Sequence, residues 1–290
     1  MNKKVKTASL SIFSNTFLII VKVFAGIMSG SVSIISEAIH SFIDLLAAII
    51  AFFSVKVSDK APDEEHPYGH GKYENISGVI EGFMIFIAAG WIIYEAINKI
   101  LYQNEIKKIG IGFIVMFISA VVNFFVSRRL YKVAKETDSI ALEADALHLK
   151  VDVYTSLGVA VGLVLIWLTG YHILDPIAAI LVAMLILRES FVLLKNAYSP
   201  LLDVKLPDSE IAIIKKAIEA KAAGFGNFHQ LRTRKGGHLK YVDLHLELPQ
   251  HLSVKEAHDI CDAIEKDIER KIRNIEVHIH VEPYVKTGRA

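Results

Sequence analysis

The sequence predicts an α-helical membrane protein with six transmembrane helices, followed by a small α+β domain at the C-terminus. Of its 290 residues, 53% are hydrophobic. The mean hydropathy of +0.41 is too high for an ordinary soluble domain. Six apolar stretches are long enough to cross the ~30 Å hydrocarbon core of a bilayer as helices, and none follows Pro200. We therefore expect a six-span domain over residues 1–203 and a second domain over residues 204–290.

The predicted spans follow one another with short connections. The first begins with lysines like a signal peptide, but its apolar run is too long, contains Asn15 and Lys22, and has no clear cleavage site. We expect it to be retained. The sequence SGS at residues 29–31 predicts a turn, and Pro176 suits the first turn of the last helix. The spans cover approximately residues 7–29, 32–57, 75–101, 107–131, 139–169 and 173–197.

Charged residues predict the orientation and exclude some classes of protein. Lysine and arginine concentrate on one side, which predicts cytoplasmic termini, in agreement with an even number of spans. A net charge of +1 without long charged runs argues against nucleic-acid binding, and the single Cys261 excludes an intrachain disulfide. The inner segments carry Lys3, Lys4, Lys6, Lys56, Lys60, Lys72, Arg128, Arg129, Lys132 and Lys135, and the outer loops carry Lys99, Lys107 and Lys108.

The C-terminal residues show the pattern of an α-β-β-α-β domain. A helix start at residues 207–209 is followed by period-two alternation over 229–248, interrupted by a Gly236–Gly237 turn. Ser253 suits the cap of a second helix, and residues 275–282 alternate again. This order predicts a small sheet with helices on one face. The hydrophobic core of such a domain is modest, and we expect dimerisation to help stabilise it. The apolar strand positions are Val242, Leu244, Leu246, Leu248, Ile275, Val277, Ile279 and Val281.

Two His-x-x-x-Asp pairs lie inside predicted spans. They are His40 with Asp44 and His148 with Asp152, and this spacing places each pair on one helix face. Ionisable groups at such depth usually mark an ion pathway, and two imidazoles with two carboxylates match the four ligands of a zinc-like ion. The alternative is polar contact between helices. We predict an intramembrane metal site where protons replace the departing metal, with Glu37 as a neighbouring candidate on the same face.

Two further clusters lie outside the spans. Asp63, His66 and His70 occupy a polar loop after the second span, which could be a solvated loop or a metal site. In the C-terminal domain, each histidine taken alone is more simply a surface residue, but the set predicts a metal cluster. Its members are His229, His245, His258, His280 and Glu282.

At these residues the chain resembles the cation diffusion facilitator family of divalent-cation/proton antiporters. The resemblance covers nearly the whole chain, including the sequence GHGKYE at residues 69–74 and a ferredoxin- or metallochaperone-like C-terminal domain. It implies a Y- or V-shaped homodimer that alternates between inward- and outward-facing states. It also implies that the two intramembrane pairs form the transport site, that the C-terminal cluster lies at the dimer interface, and that Lys72 pairs with Asp203.

The predicted function is therefore proton-coupled efflux of zinc, with iron, cobalt, nickel or cadmium as alternative ions and no organic cofactor. His40 favours zinc over manganese. The chain has no long His-rich loop between spans four and five, which favours a prokaryotic cytoplasmic membrane. Two alternatives stay open. One is a membrane metal sensor or storage protein. The other is an intramembrane metalloenzyme, but the sequence contains no H-E-x-x-H, which argues against it.

Overall fold

The computed structural model describes residues 2–29, 32–102, 111–171, 173–222 and 227–284. The chain divides into two compact units, Met1–Tyr198 and Ser199–Ala290. The predicted turn at residues 29–31 and the start of the fourth predicted span at 107–110 lie at least partly outside the described residues, as does the side chain of Glu37.

Six long helices form the first unit. Among the described residues, five of them (α1, α2, α3, α4 and α6) contain segments long and apolar enough to cross a membrane. The helix α5 is continuous over 30 residues, and its crossing of the membrane stays a prediction. The fourth helix continues to Thr137, beyond the predicted end at 131, and Pro176 lies in the first turn of α6, as expected. The helices are α1 (Lys3–Ser29), α2 (Val32–Ser58), α3 (Lys72–Tyr102), α4 (Ile111–Thr137), α5 (Ile140–Thr169) and α6 (Leu174–Tyr198).

The fifth helix lies between two buried apolar clusters. Its residues Leu142 and Leu149 pack with α1, α2 and α4, whereas Leu147 and Val151 pack with α3 and α6. The first half of α5 therefore has apolar neighbours from the other helices on two sides. Large apolar side chains of the other helices, such as Phe13, stay exposed, as expected for surfaces that face lipid. This arrangement places α5 where its polar residues meet several other helices.

The helices α3 and α6 approach closely at two glycines. A Cβ atom built on Gly78 would lie 3.0 Å from the Cβ of Ala197, and one built on Gly82 would lie 3.0 Å from Leu194. The hydroxyl of Ser190 donates a hydrogen bond of 2.7 Å to the backbone carbonyl of Gly82. Small residues four positions apart therefore allow this helix pair to pack closely.

The second unit has the predicted order α-β-β-α-β. The strand β1 pairs antiparallel with β2, and β2 pairs parallel with β3. Ser253 caps α8 in a reciprocal hydrogen-bond arrangement with Glu256, which confirms the predicted cap. A short 3₁₀ turn covers Ser199–Leu202, and the other elements are α7 (Asp208–Ala222), β1 (Phe228–Gly236), β2 (Leu239–Leu248), α8 (Val254–Lys271) and β3 (Ile275–Pro283).

One apolar core lies between these helices and the sheet. The predicted inward side chains of β2 are buried, and Cys261, Ile264 and Ile268 of α8 pack on them. Val281 differs from the other apolar strand positions: it is 40% exposed, on the edge strand β3 of the sheet. The core therefore depends on α7, α8 and the β2 face.

Candidate metal sites

The helices α2 and α5 bring the two predicted intramembrane pairs together. The Nε2 atom of His148 lies 2.9 Å from Oδ1 of Asp44. The Nε2 atom of His40 lies 3.9 Å from Oδ1 of Asp44 and 3.8 Å from Oδ1 of Asp152. Single atoms of His40, Asp44 and Asp152 lie within 4.8 Å of one another, which is close enough to share one cation. We call these four residues the intramembrane tetrad.

The surroundings of the tetrad differ between its members. The side chain of Asp44 is 3% exposed, whereas that of His40 is 54% exposed. Asn123 of α4 donates a hydrogen bond of 3.0 Å to Oδ2 of Asp152 and so holds that carboxylate in place. The Nδ1 atom of His148 is buried and has no hydrogen-bond partner among the described residues. Asn123 was not predicted, although an asparagine inside an apolar span is itself a signal of polar contact.

A polar cavity of about 190 Å³ opens beside the tetrad. It is lined by Lys22, Ser119 and Thr155, together with His40 and Asp152 themselves. These lining residues lie towards the end of the bundle where α1 ends and α4 begins. The buried Lys22 ammonium donates a hydrogen bond of 2.8 Å to the hydroxyl of Ser41. The cavity therefore lies on the side of the tetrad that faces this end of the bundle.

A buried network centred on Glu74, the last residue of the GHGKYE sequence, lies at the opposite end of the bundle. Its Oε1 atom accepts hydrogen bonds from Lys4 at 2.9 Å and from Ser58 at 2.7 Å. Ser139 donates a short hydrogen bond to the other carboxylate oxygen, and Lys4 also lies 2.7 Å from Asp59. This Glu74 network connects α1, α2 and α3 with the start of α5.

The loop between α2 and α3 gathers its three predicted residues. Oδ1 of Asp63 lies 3.3 Å from Nδ1 of His66, and Oδ2 lies 3.3 Å from Nε2 of His70. The backbone N–H of His66 donates a hydrogen bond to Asp63, which lowers the pKa of that carboxyl. One atom from each residue lies within 4.8 Å of the others, so the cluster offers three ligands and leaves a fourth position for water or another group.

The three strands of the second unit place part of the predicted C-terminal cluster side by side. His229 faces His245 across the β1–β2 pairing. Glu282 accepts a hydrogen bond of 2.8 Å from Nδ1 of His245 and lies 3.3 Å from Nε2 of His229. The hydrogen bond from His245 lowers the pKa of Glu282. These three residues offer ligand atoms within 4.8 Å of one another.

Other predicted residues are not placed in these groups. Nε2 of His280 lies 3.9 Å from Glu282, at the edge of the cluster. His258 on α8 lies 3.5 Å from Asp262, one turn away on the same helix. Asp203 lies 3.9 Å from Arg234 within the second unit. The roles of His258 and His280 as ligands, and the pairing of Asp203 with Lys72, stay predictions.

Comparison with known proteins matches nearly the whole chain. The cation efflux transmembrane domain model matches residues 8–202. The model for the cytoplasmic domain of cation efflux proteins matches residues 206–284. Together these two matches cover both units of the fold.

Individual relatives are similar over most of their length. An uncharacterized transporter of Synechocystis is 35% identical, over 90% of this chain and 84% of the relative. The manganese efflux system protein MneP of Bacillus subtilis is 32% identical over 96% of both chains. The cation-efflux pump FieF of Klebsiella pneumoniae is 31% identical over 92% of this chain and 88% of the relative. A solved structure, the metal-bound C-terminal domain of the CzcD transporter from Thermotoga maritima, is 29% identical over 27% of this chain and 94% of that chain, with a TM-score of 0.24.

Proposed function

The chain belongs to the cation diffusion facilitator family of cation efflux transporters, which are not enzymes, and from this premise we propose that it exports zinc in exchange for protons. The observation that carries the proposal is the tetrad inside a bundle of apolar helices. His40, Asp44 and Asp152 offer atoms within 4.8 Å of one another. His148 lies 2.9 Å from Asp44.

The contact between His148 and Asp44 supports proton exchange. At 2.9 Å the imidazole nitrogen and the carboxylate oxygen share one hydrogen. Both atoms are ligand atoms, so a metal ion that binds them must displace that hydrogen. When the ion leaves, the buried Asp44 again needs a hydrogen or a positive charge nearby. Metal and proton therefore compete for the same atoms, which is the physical requirement for antiport.

The ligand types favour zinc as the cargo. Two imidazoles and two carboxylates suit zinc, iron, cobalt, nickel or cadmium better than manganese, which prefers oxygen ligands. No thiolate contributes, so zinc would be held loosely enough to be released. The name of the B. subtilis relative refers to manganese, so a direct comparison of ions is part of the test.

Alternating access accounts for the difference between the two ends of the bundle. The polar cavity lies on one side of the tetrad, while the buried Glu74 network occupies the opposite end of the bundle. With the start of α1 in the cytoplasm, as the lysine distribution predicts, we propose that this structure corresponds to the outward-facing state. We propose a homodimer in the cytoplasmic membrane with cytoplasmic termini, in which the loop and C-terminal clusters bind cytosolic metal and regulate transport.

The test is metal flux in proteoliposomes with a pH gradient. Wild-type protein should move zinc against its own gradient, and flux should be compared for zinc, cadmium, iron and manganese in one preparation. The double variant Asp44→Asn, Asp152→Asn should lose flux, because it keeps the side-chain shapes and removes both charges. The control Glu95→Gln changes an exposed carboxylate on α3 and should transport normally.

Two outcomes would contradict the proposal. Flux that survives the double substitution would show that the tetrad is not the transport site. Stoichiometric binding of metal without flux under any gradient would support a sensor or storage protein instead.

A further inference from the structure

Two buried oxygen atoms of α4 belong to side chains that line the polar cavity beside the tetrad. They are Oγ of Ser119 and Oδ1 of Asn123, and neither has a hydrogen-bond partner in the part of the chain that the structure describes. Ser119 is 7% exposed and Asn123 is 4% exposed. Because a buried polar atom without a partner is costly, these two oxygens indicate that a polar ligand binds in the cavity.

The orientation of the Asn123 amide follows from its contact with Asp152. The Nδ2 group of Asn123 donates a hydrogen bond of 3.0 Å to Oδ2 of Asp152. An ionised carboxylate only accepts hydrogen bonds, so the amide nitrogen must lie on this side and the carbonyl oxygen on the other. Oδ1 of Asn123 is therefore an acceptor only. Its ligand must be a hydrogen-bond donor or a cation, and an anion does not suit it.

Three kinds of oxygen donor lie next to one another in this wall of the cavity. Ser119 and Asn123 are four residues apart on α4, so their side chains are neighbours on one helix face. The hydrogen bond joins Asn123 to the carboxylate of Asp152, which lines the same cavity. A hydroxyl, an amide carbonyl and a carboxylate are oxygen ligands of the kind that magnesium, calcium and manganese prefer. This wall therefore differs from the tetrad, which includes two imidazoles.

The volume and charge of the cavity suit an ion that keeps some of its water. The cavity measures about 190 Å³, whereas a single water requires only about 15 Å³. Lys22 lines the same cavity and donates a hydrogen bond of 2.8 Å to Ser41. Its positive charge repels a cation, so an ion at this wall is held more weakly than it would be without Lys22. Weak binding suits a position through which an ion passes.

We propose that Ser119, Asn123 and Asp152 form a waiting site, in which oxygen atoms hold a partly hydrated divalent cation at the cavity wall next to the tetrad. Asp152 belongs to both sites, so a cation exchanges imidazole ligands for oxygen ligands without leaving that carboxylate. The waiting site binds oxygen-preferring ions such as manganese, and selection of zinc is left to the tetrad. This inference rests on the proposed function, because it assigns a second position to the same cargo.

Manganese(II) alone, added to the purified full-length protein, tests the waiting site at equilibrium. Pulsed electron paramagnetic resonance distinguishes manganese that has histidine nitrogen ligands from manganese that has oxygen ligands only. The tetrad, the loop cluster and the C-terminal cluster all contain histidines, whereas the waiting site contains none. Wild type should therefore show a population of manganese with oxygen ligands only.

Ser119→Ala removes one oxygen ligand with little change of shape. Loss of a group that only orients a ligand already weakens metal binding about tenfold, so the dissociation constant of the oxygen-only population should rise at least that much. Ser119→Thr keeps the hydroxyl and should retain most of the binding. The control Ser9→Ala removes a hydroxyl that donates to the Val5 carbonyl of its own helix, and it should resemble wild type.

Two further measurements keep the test independent of folding. Zinc affinity of the tetrad, measured by calorimetry, should be unchanged in Ser119→Ala, which shows that this variant is folded. Asn123→Ala removes the second oxygen and should lose the same manganese population as Ser119→Ala does.

The outcomes distinguish this inference from the proposed function. An oxygen-only population that is absent from wild type refutes the waiting site. A population that persists unchanged in Ser119→Ala also refutes it and indicates adventitious surface binding only. Loss in both Ser119→Ala and Ser119→Thr refutes the role of the hydroxyl, because the second variant still carries one. A wild-type protein that carries no zinc in proteoliposomes refutes the proposed function, whereas the manganese measurement requires no transport.

Discussion

Replacement of Lys4 by methionine should lower the free energy of unfolding of the helical unit by about 3 kcal/mol. Lys4 is the cation of the Glu74 network, 2.9 Å from Glu74 and 2.7 Å from Asp59. Methionine has a similar length but carries no charge, so the buried Glu74 carboxylate would keep only its hydrogen bonds from Ser58 and Ser139.

The magnitude follows from the burial of the two partners. Breaking a buried ion pair by removing one partner costs about 3–5 kcal/mol, because the other charge is left without compensation. Lys4 and Glu74 are both buried, whereas Asp59 is partly exposed, so the loss of that second contact adds little. We therefore take the lower end of the range, which corresponds to a change of about two orders of magnitude in the unfolding equilibrium.

The assay is unfolding by SDS in mixed micelles, carried out as a double-mutant cycle. Lys4→Met, Glu74→Gln and the double variant are compared with wild type, and Lys6→Met serves as a control because Lys6 is exposed. The double variant has no unpaired buried charge at this position, so it should be more stable than the sum of the single effects predicts. Additive effects, or a Lys4→Met effect no larger than that of Lys6→Met, would refute the reasoning.

Three further predictions concern other parts of the chain. Gly82→Leu should destabilise the α3–α6 contact by about 1–3 kcal/mol in the free energy of unfolding. The control Gly90→Leu should change stability little, because a Cβ atom at Gly90 would meet no atom within 4 Å. Equal effects of the two substitutions would contradict this packing. Asn123→Ala should raise the zinc dissociation constant of the tetrad about tenfold, because Asp152 loses its hydrogen bond. Calorimetry of zinc binding measures this change, and an unchanged affinity would contradict the role of Asn123. The lowered pKa of Glu282 means that its stabilising contribution is present above the ordinary carboxyl pKa and is lost as the pH falls through the lowered value. The stability difference between wild type and Glu282→Gln should therefore shrink in acid, and growth of that difference in acid would contradict the assignment.

Periodic patterns made most elements predictable. Long apolar runs predicted the helices, and alternating residues predicted the strands of the second unit with the correct order. Ser253 was identifiable as a helix cap because the Glu that completes the capping box lies only three residues away. Each of these signals is local, so it can be read without knowing which elements are neighbours.

The partners of the tetrad could not be predicted in the same way. Asn123 and Asp152 are 29 positions apart and belong to different helices, and no sequence spacing relates them. The Lys4–Glu74 contact joins residues 70 positions apart. Tertiary packing decides such contacts, and a periodic pattern describes one element only.

The burial of Cys261 in the core of the second unit has a practical consequence. It is the single thiol of the chain, and its sulfur lies among the apolar side chains of α8 and the sheet. A maleimide reagent applied to the folded wild-type protein should therefore modify the Cys261 thiol only slowly. A cysteine introduced at one position in the polar cavity, and another beside the Glu74 network, would each report water access at its own end of the bundle. The opening and closing of the two ends could then be followed by labelling, without first removing the native residue.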